Sequence, residues 1–127
     1  TALLYAISKG HLEIAELLLR HGADPNIAGD SGYPIRTAAS RGWTQMVRAL
    51  LVGGAIVDAP SSVGGTHGVT AAMVAAGSGS AACLRVLLEF GANPSLRDSD
   101  GDDALFYARS RRQAETEDIL QNWGNVR

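Results

Sequence analysis

Apolar residues recur along this chain with helical spacing, and the pattern is cut at regular intervals by glycine. In LEIAELLLRH (12–21) the apolar residues Leu12, Ile14, Ala15, Leu17 and Leu18 recur at helical spacing, and the run halts at Gly22. Glycine stops a helix because it enters the left-handed conformation without a Cβ penalty. The same ending returns in LLLRHGADPN (17–26), LLVGGAIVD (50–58) and LLEFGANPS (87–95), with Gly22, Gly54 and Gly91 spaced by 32 and 37 residues. A second shared block precedes each ending: AISKGHLEIAELL (6–18), AASRGWTQMVRALL (38–51) and AAGSGSAACLRVLL (75–88), in which Gly10, Gly42 and Gly79 correspond. YARSRRQAETEDIL (107–120) is a degenerate fourth copy, with Arg112 at the glycine position and the final glycine returning at Gly124.

Each copy predicts a helix pair. A short first helix ends at the inner glycine, and a second, amphipathic helix ends at the outer one. The connections ADPNIAGDSG (23–32) and ANPSLRDSDG (92–101) then carry aspartate and glycine where a tight turn needs them. The expected fold class is therefore all-α: stacked helix-turn-helix layers joined by finger-like turns.

A period near 33 residues that combines a turn with two helices resembles the ankyrin repeat. GHLEIAELLLRHGADPN (10–26) is similar to that family's consensus, and Gly91, Ala92, Asn93, Pro94, Asp98 and Gly101 repeat it. The resemblance implies an all-α ankyrin-repeat solenoid with β-turn or hairpin-like fingers, occupying residues 1–127 as a single domain. Its units are 1–31, lacking the opening finger, then 32–60, 68–97 after an insertion at 61–67, and 98–127 as a C-terminal cap. Where the family opens its first helix with Thr-Pro-Leu-His, this chain has TALL (1–4), YPIR (33–36), TAAM (70–73) and DALF (103–106). No copy keeps the histidine, so its bonds to neighbouring loops must be made otherwise or lost. Thr70 and Asp103 remain suited to cap their helices, each contributing about 1 kcal/mol. Thr116, Glu117 and Asp118 stand where other copies carry Ile14, Ala15 and Glu16 or Cys83, Leu84 and Arg85; trading the apolar contacts for polar ones is what a terminal layer facing water requires, and the stack is expected to finish near Trp123. The first unit lacks such a polar face and Thr1 begins in mid-repeat, so either an artificial boundary or further repeats upstream is expected rather than a true start. APSSVGGTHG (59–68) is the least family-like stretch, either a contact loop or a tolerated bulge.

Composition adds limits. The 127 residues are 46% hydrophobic but only 6% aromatic, which suits thin layers of small side chains. A formal net charge of -2 gives no electrostatic case for nucleic acid. No apolar run approaches the roughly 18 residues that cross a bilayer, so no direct membrane insertion is expected. Cys83, alone of its kind, fits an intracellular location, cytoplasmic or nuclear.

No catalytic constellation emerges, and the chain reads as a non-enzyme without cofactor or metal. Cys83 matches Ile14 and Met46 in helix register and reads as a packing thiol. His11 belongs to an inter-helix turn, while His21 lies in a last helical turn, where a cation suits the helix dipole. DSDGDD (98–103) lacks the glycine and the closing carboxylate of an EF-hand and reads as a finger turn. GSGS (77–80) and VGG (63–65) lack the lysine of a phosphate cradle; the second reads as a flexible part of the insertion. Trp43 and Trp123 read as covers over neighbouring layers.

The resemblance implies partner binding by finger tips and by the ends of the first helices. Matching positions select Asp30, Ser31, Tyr33, His67, Arg97, Asp100 and Asp102 at the tips, with Lys9, Arg41 and Arg111 as a basic inner stripe. Tyr33 and Arg41 are the expected anchors, since tyrosine and arginine dominate hot spots. The basic stripe favours an acidic or phosphorylated protein partner. The alternative is a structural or regulatory segment of a larger enzyme, channel or scaffold assembly.

Overall fold

The computed structural model describes residues 1–123, so Gly124, expected to end the fourth copy, lies outside the described residues. Four helix pairs follow one another: α1 (Ala2–Lys9) with α2 (Leu12–Arg20), α3 (Pro34–Ser40) with α4 (Thr44–Val52), α5 (Ala71–Ser78) with α6 (Ala81–Glu89), and α7 (Ala104–Ser110) with α8 (Ala114–Asn122). First helices pack on first helices in the order α1, α3, α5, α7, and second helices in the order α2, α4, α6, α8. The result is a helical repeat stack.

Local chemistry explains the helix ends. Thr1, Thr70 and Asp103 accept the N3 backbone N–H of α1, α5 and α7 through their side chains, while Pro34 opens α3 with its ring-fixed φ. Gly10, Gly42 and Gly79 end or follow the first helices at φ of 74°, 70° and 76°. Arg112 occupies the same point of the fourth pair at φ 56°, so there a side chain endures a conformation that glycine takes freely.

Layers meet through small and aliphatic residues. Ala38, Ala39, Val47, Leu50, Ala75, Leu84 and Leu87 are all buried in one continuous core. Cys83 is fully buried, as its register predicts, and shares a hydrogen bond of 3.3 Å with Thr44 Oγ1 from the preceding pair. Ile14, in the same register, is instead 52% exposed, because no helix pair precedes it among the described residues.

Between layers runs a repeated polar link. Asn26 Nδ2 donates to the Gly54 carbonyl at 3.1 Å, and Asn26 Oδ1 accepts from the Ile56 N–H at 2.8 Å. Asp58, at the matching position one unit later, accepts the Asn93 N–H at 3.1 Å. Burial pushes the Asp58 carboxyl above its ordinary range, against the opposing pull of the Asn93 hydrogen bond.

Two expectations need correction. Residues 59–69 are not an irregular bulge: β1 (Ser61–Val63) and β2 (Thr66–Val69) form an antiparallel hairpin, a hairpin-like finger in a helix-rich chain. Its turn is Gly64–Gly65, at φ 55° and 89°, the paired positive values of a hairpin turn whose twist matches its strands. Thr116 does not face water either. It is fully buried and donates its hydroxyl to the Ala76 carbonyl of α5 at 2.8 Å, so the polar group serves the layer contact. Glu117, where inner copies carry Ala15 or Leu84, is half-exposed and pairs with Arg109 at 3.2 Å.

Candidate functional site

The first helices and the fingers together line two cavities. One, of about 430 Å³, lies among α1, α3 and the finger at 29–32, lined by Leu4, Tyr5, Ser8, Asp30, Ser31 and Thr37 among others. The other, of about 370 Å³, lies among α3, α5, α7 and the hairpin. Arg36 and Ser40 on α3, Val74 and Ser78 on α5, and Tyr107 on α7 with Arg111 at that helix's C-cap enter it as three pairs, each four residues apart. Val63, Thr66 and Val69 close the hairpin side. A third cavity, of about 530 Å³, opens on the opposite face between α2 and α4, beside Arg20, Arg48 and Val52.

The fingers are tied to one another. Ser61, buried at the base of the hairpin, accepts the Tyr33 N–H at 3.3 Å, and a Cβ on Gly32 would come within 2.7 Å of that hydroxyl oxygen. On the other side the His67 N–H donates to Ser99 Oγ, the Ser99 N–H donates to the His67 carbonyl, and Thr66 Oγ1 donates to Asp100 Oδ2, all at 2.8–2.9 Å. The insertion is therefore a braced finger, and the flexibility expected of Val63, Gly64 and Gly65 gives way to a defined turn.

Asp98 organises the last finger. Its Oδ1 accepts from the Asp100 and Asp102 N–H groups, and its Oδ2 from the Tyr107 hydroxyl. Burial pulls the Asp98 pKa up, but the bonds from Tyr107, Asp102, Asp100 and Gly101 outweigh it and hold the carboxyl below its ordinary value. Asp98, Asp100 and Asp102 bring carboxylate oxygens within 4.8 Å of one another, while both Asp98 oxygens are already engaged in this turn.

The residues expected from sequence separate into groups. Asp30 and Ser31 line the first cavity and Arg111 the second. Lys9 sits over the Tyr5 ring at 5.9 Å and Arg41 over the Trp43 ring at 5.2 Å, each at the edge of the face. The Tyr33 ring is half-buried against the core. His67 and Asp100 belong to the contact between fingers, Asp102 to the turn, and Arg97 is exposed beside it. Histidines elsewhere are simple: His11 is exposed, and His21 Nδ1 lies 2.9 Å from the Leu17 carbonyl at the end of α2. Trp43 packs near Gly10, and Trp123 is half-buried against the core, as covers would be.

Sequence reasoning missed Arg36 and Tyr107. Arg36 stands where the family carries histidine, and its Nε donates to the Ser31 carbonyl at 3.0 Å, with Nη2 joining the same oxygen. The loop bond of the absent histidine is made here by a guanidinium. Tyr107 could have been found from its four-residue spacing to Arg111.

A profile described as "Ankyrin repeats (3 copies)" matches residues 35–125, and one described as "Ankyrin repeat" matches residues 1–30. The chain belongs to the ankyrin repeat family. Ankyrin repeats generally serve as protein-interaction modules. Similar proteins include the ankyrin repeat protein nuc-2 of Neurospora crassa, 36% identical over 81% of this chain and 10% of its own length. The B-cell lymphoma 3 protein homolog of Mus musculus is 36% identical over 88% of this chain and 25% of its own. The E3 ubiquitin-protein ligase hecd-1 of Caenorhabditis elegans is 35% identical over 87% of this chain and 4% of its own. This ankyrin stack thus spans a quarter or less of these three relatives.

Proposed function

We propose that this ankyrin stack is a protein-interaction module that takes an extended segment of a partner along the face built by the first helices and fingers. The supporting observation is the position of two of the cavities, one after the other on that face, each walled by helices on one side and a finger on the other. Asp30, Ser31 and Arg111 contact the partner directly. Tyr33 and Arg41 flank the path, and Lys9 extends it past Tyr5.

Photo-crosslinking tests the face. With Cys83 buried, a benzophenone can be attached to a single introduced cysteine at Ser31, at Ser78 or, on the opposite face, at Val52. Capture of the same partner from Ser31 and Ser78 but not from Val52 is expected. Capture only from Val52 rejects the proposal.

A second reading draws on the short share of each relative that the stack covers. There the same face packs against another part of a larger protein, and the crosslinks become intramolecular in the full-length chain.

A further inference from the structure

We infer that the cavity among α3, α5, α7 and the hairpin is a seat for a phosphorylated side chain, gripped between Arg36 and Arg111. The inference rests on the reading of this face as the partner-binding surface and deepens it by naming the chemistry of the bound group.

Aligned positions of the other three first helices carry serine (Ser8, Ser40 and Ser110), but α5 carries Gly77. A Cβ there would lie 3.4 Å from Arg111 Cδ and 3.5 Å from Tyr107 Cδ2, ordinary contact distances, so both side chains lie close along this turn of α5. Arg111 therefore lies back across α5 and lines the cavity, where Arg36 enters from α3.

Donor accounting then selects the ligand. The Ser40 hydroxyl donates to the Thr37 carbonyl at 2.8 Å and the Tyr107 hydroxyl donates to Asp98. Ser78 Oγ is held by the Ala75 carbonyl and by Ser80. The guanidiniums are what remain. Arg36 spends Nε and one Nη2 hydrogen on Ser31, leaving the others of its five N–H donors, and Arg111 has neither a hydrogen-bond partner nor a carboxylate partner among the described residues. Arg85 and Arg109, by contrast, are paired with Glu115 and Glu117. The nearby Asp98 carboxylate is turned into its finger by two backbone N–H groups.

Two forks approaching from different helices need an acceptor with more than one edge. A carboxylate offers two oxygens and one charge, which a single arginine satisfies bidentately. A phosphomonoester carries a charge of about -1.5 to -2 and three acceptor oxygens, enough to bridge both. Val63, Val69 and Val74 supply the apolar wall for the residue next to it.

The test uses arrays of peptides centred on phosphoserine, phosphothreonine or phosphotyrosine, each beside its unphosphorylated and glutamate-centred counterparts, followed by fluorescence anisotropy on the best binder. Wild type is expected to prefer the phosphorylated form by about tenfold or more over the glutamate form. Arg111→Ala and Arg111→Lys are expected to remove most of that preference, while Arg20→Ala, on the opposite face, preserves it. Because Arg36 also holds the Ser31 loop, Arg36→Lys serves as the second variant, with thermal melts confirming that each variant folds. Equal binding of glutamate and phosphorylated peptides overturns the inference, as does a preference that survives Arg111→Ala. If no peptide binds while Ser31 and Ser78 still crosslink a partner, the phosphate seat falls and the face assignment stands. If those crosslinks are absent as well, both fall.

Discussion

The Tyr107 hydroxyl donates to Asp98 Oδ2, so a cavity wall on α7 and the turn of the last finger share one hydrogen bond. Their coupling is sensitive to acid. The Asp98 pKa in the folded chain lies below its ordinary 3.8, since the bonds from Tyr107 and the backbone outweigh burial. A carboxyl with a depressed folded pKa contributes stability that is present above the unfolded value and lost as pH falls through the folded one. Asp98→Asn is therefore expected to lower stability by about 1.5–3 kcal/mol near neutrality. That deficit should shrink below pH 3.8, and denaturant melts at several pH values measure it.

Arg112→Gly is expected to stabilise the protein by about 1 kcal/mol, because a non-glycine residue at φ 56° carries steric strain that glycine does not. The side chain is exposed, so little packing is lost. A rise in melting temperature checks this; a fall would mean that the arginine makes up for its own strain.

Much of this was readable from sequence, for a physical reason. Helix pairs are specified locally, by apolar spacing, a capping side chain and a glycine stop, so Leu12–Arg20 and Ala81–Glu89 could be read directly. Other features depend on distant partners. Thr116 looks solvent-facing until the Ala76 carbonyl, 40 residues away, is placed beside it. The hairpin did carry a local signal, a Gly-Gly pair flanked by Val63 and Thr66, but it read as an irregular insertion because repeat register dominated the reading. Arg36 was hidden for the opposite reason: it fills a histidine position, and only the fold puts it in the same cavity wall as Arg111.

Cys83 is expected to resist thiol reagents in the native protein. It is fully buried, and burial pushes its thiol pKa up more strongly than the Thr44 hydrogen bond lowers it, so little thiolate is exposed to react. Labelling should be slower than in denaturant by at least about 100-fold, since it waits on local opening. Timed mass spectrometry with an aromatic disulfide reagent measures the ratio, and fast native labelling would contradict the packing at α4 and α6.

Asn26→Ala removes both bonds from the first pair to the second. With the Asn26 side chain half-exposed, a loss of about 1–2 kcal/mol is expected. In a stack where each layer touches its neighbours, that loss stays local. Hydrogen exchange should quicken in α1 and α2 and remain slow in α5 and α6. Uniform acceleration would instead indicate one cooperative unit.

A Cβ built on Gly64 or Gly65 would meet no atom beyond their chain neighbours within 4 Å, while the base of the same hairpin is anchored at Ser61 and its flank at Ser99. Extra residues inserted at that tip would extend outward without shifting a single layer, at an entropic cost that grows only with the logarithm of loop length. The hairpin thus offers the molecule a place to acquire new reach by lengthening, while the helices beneath keep their register and the anchored strands keep aiming it.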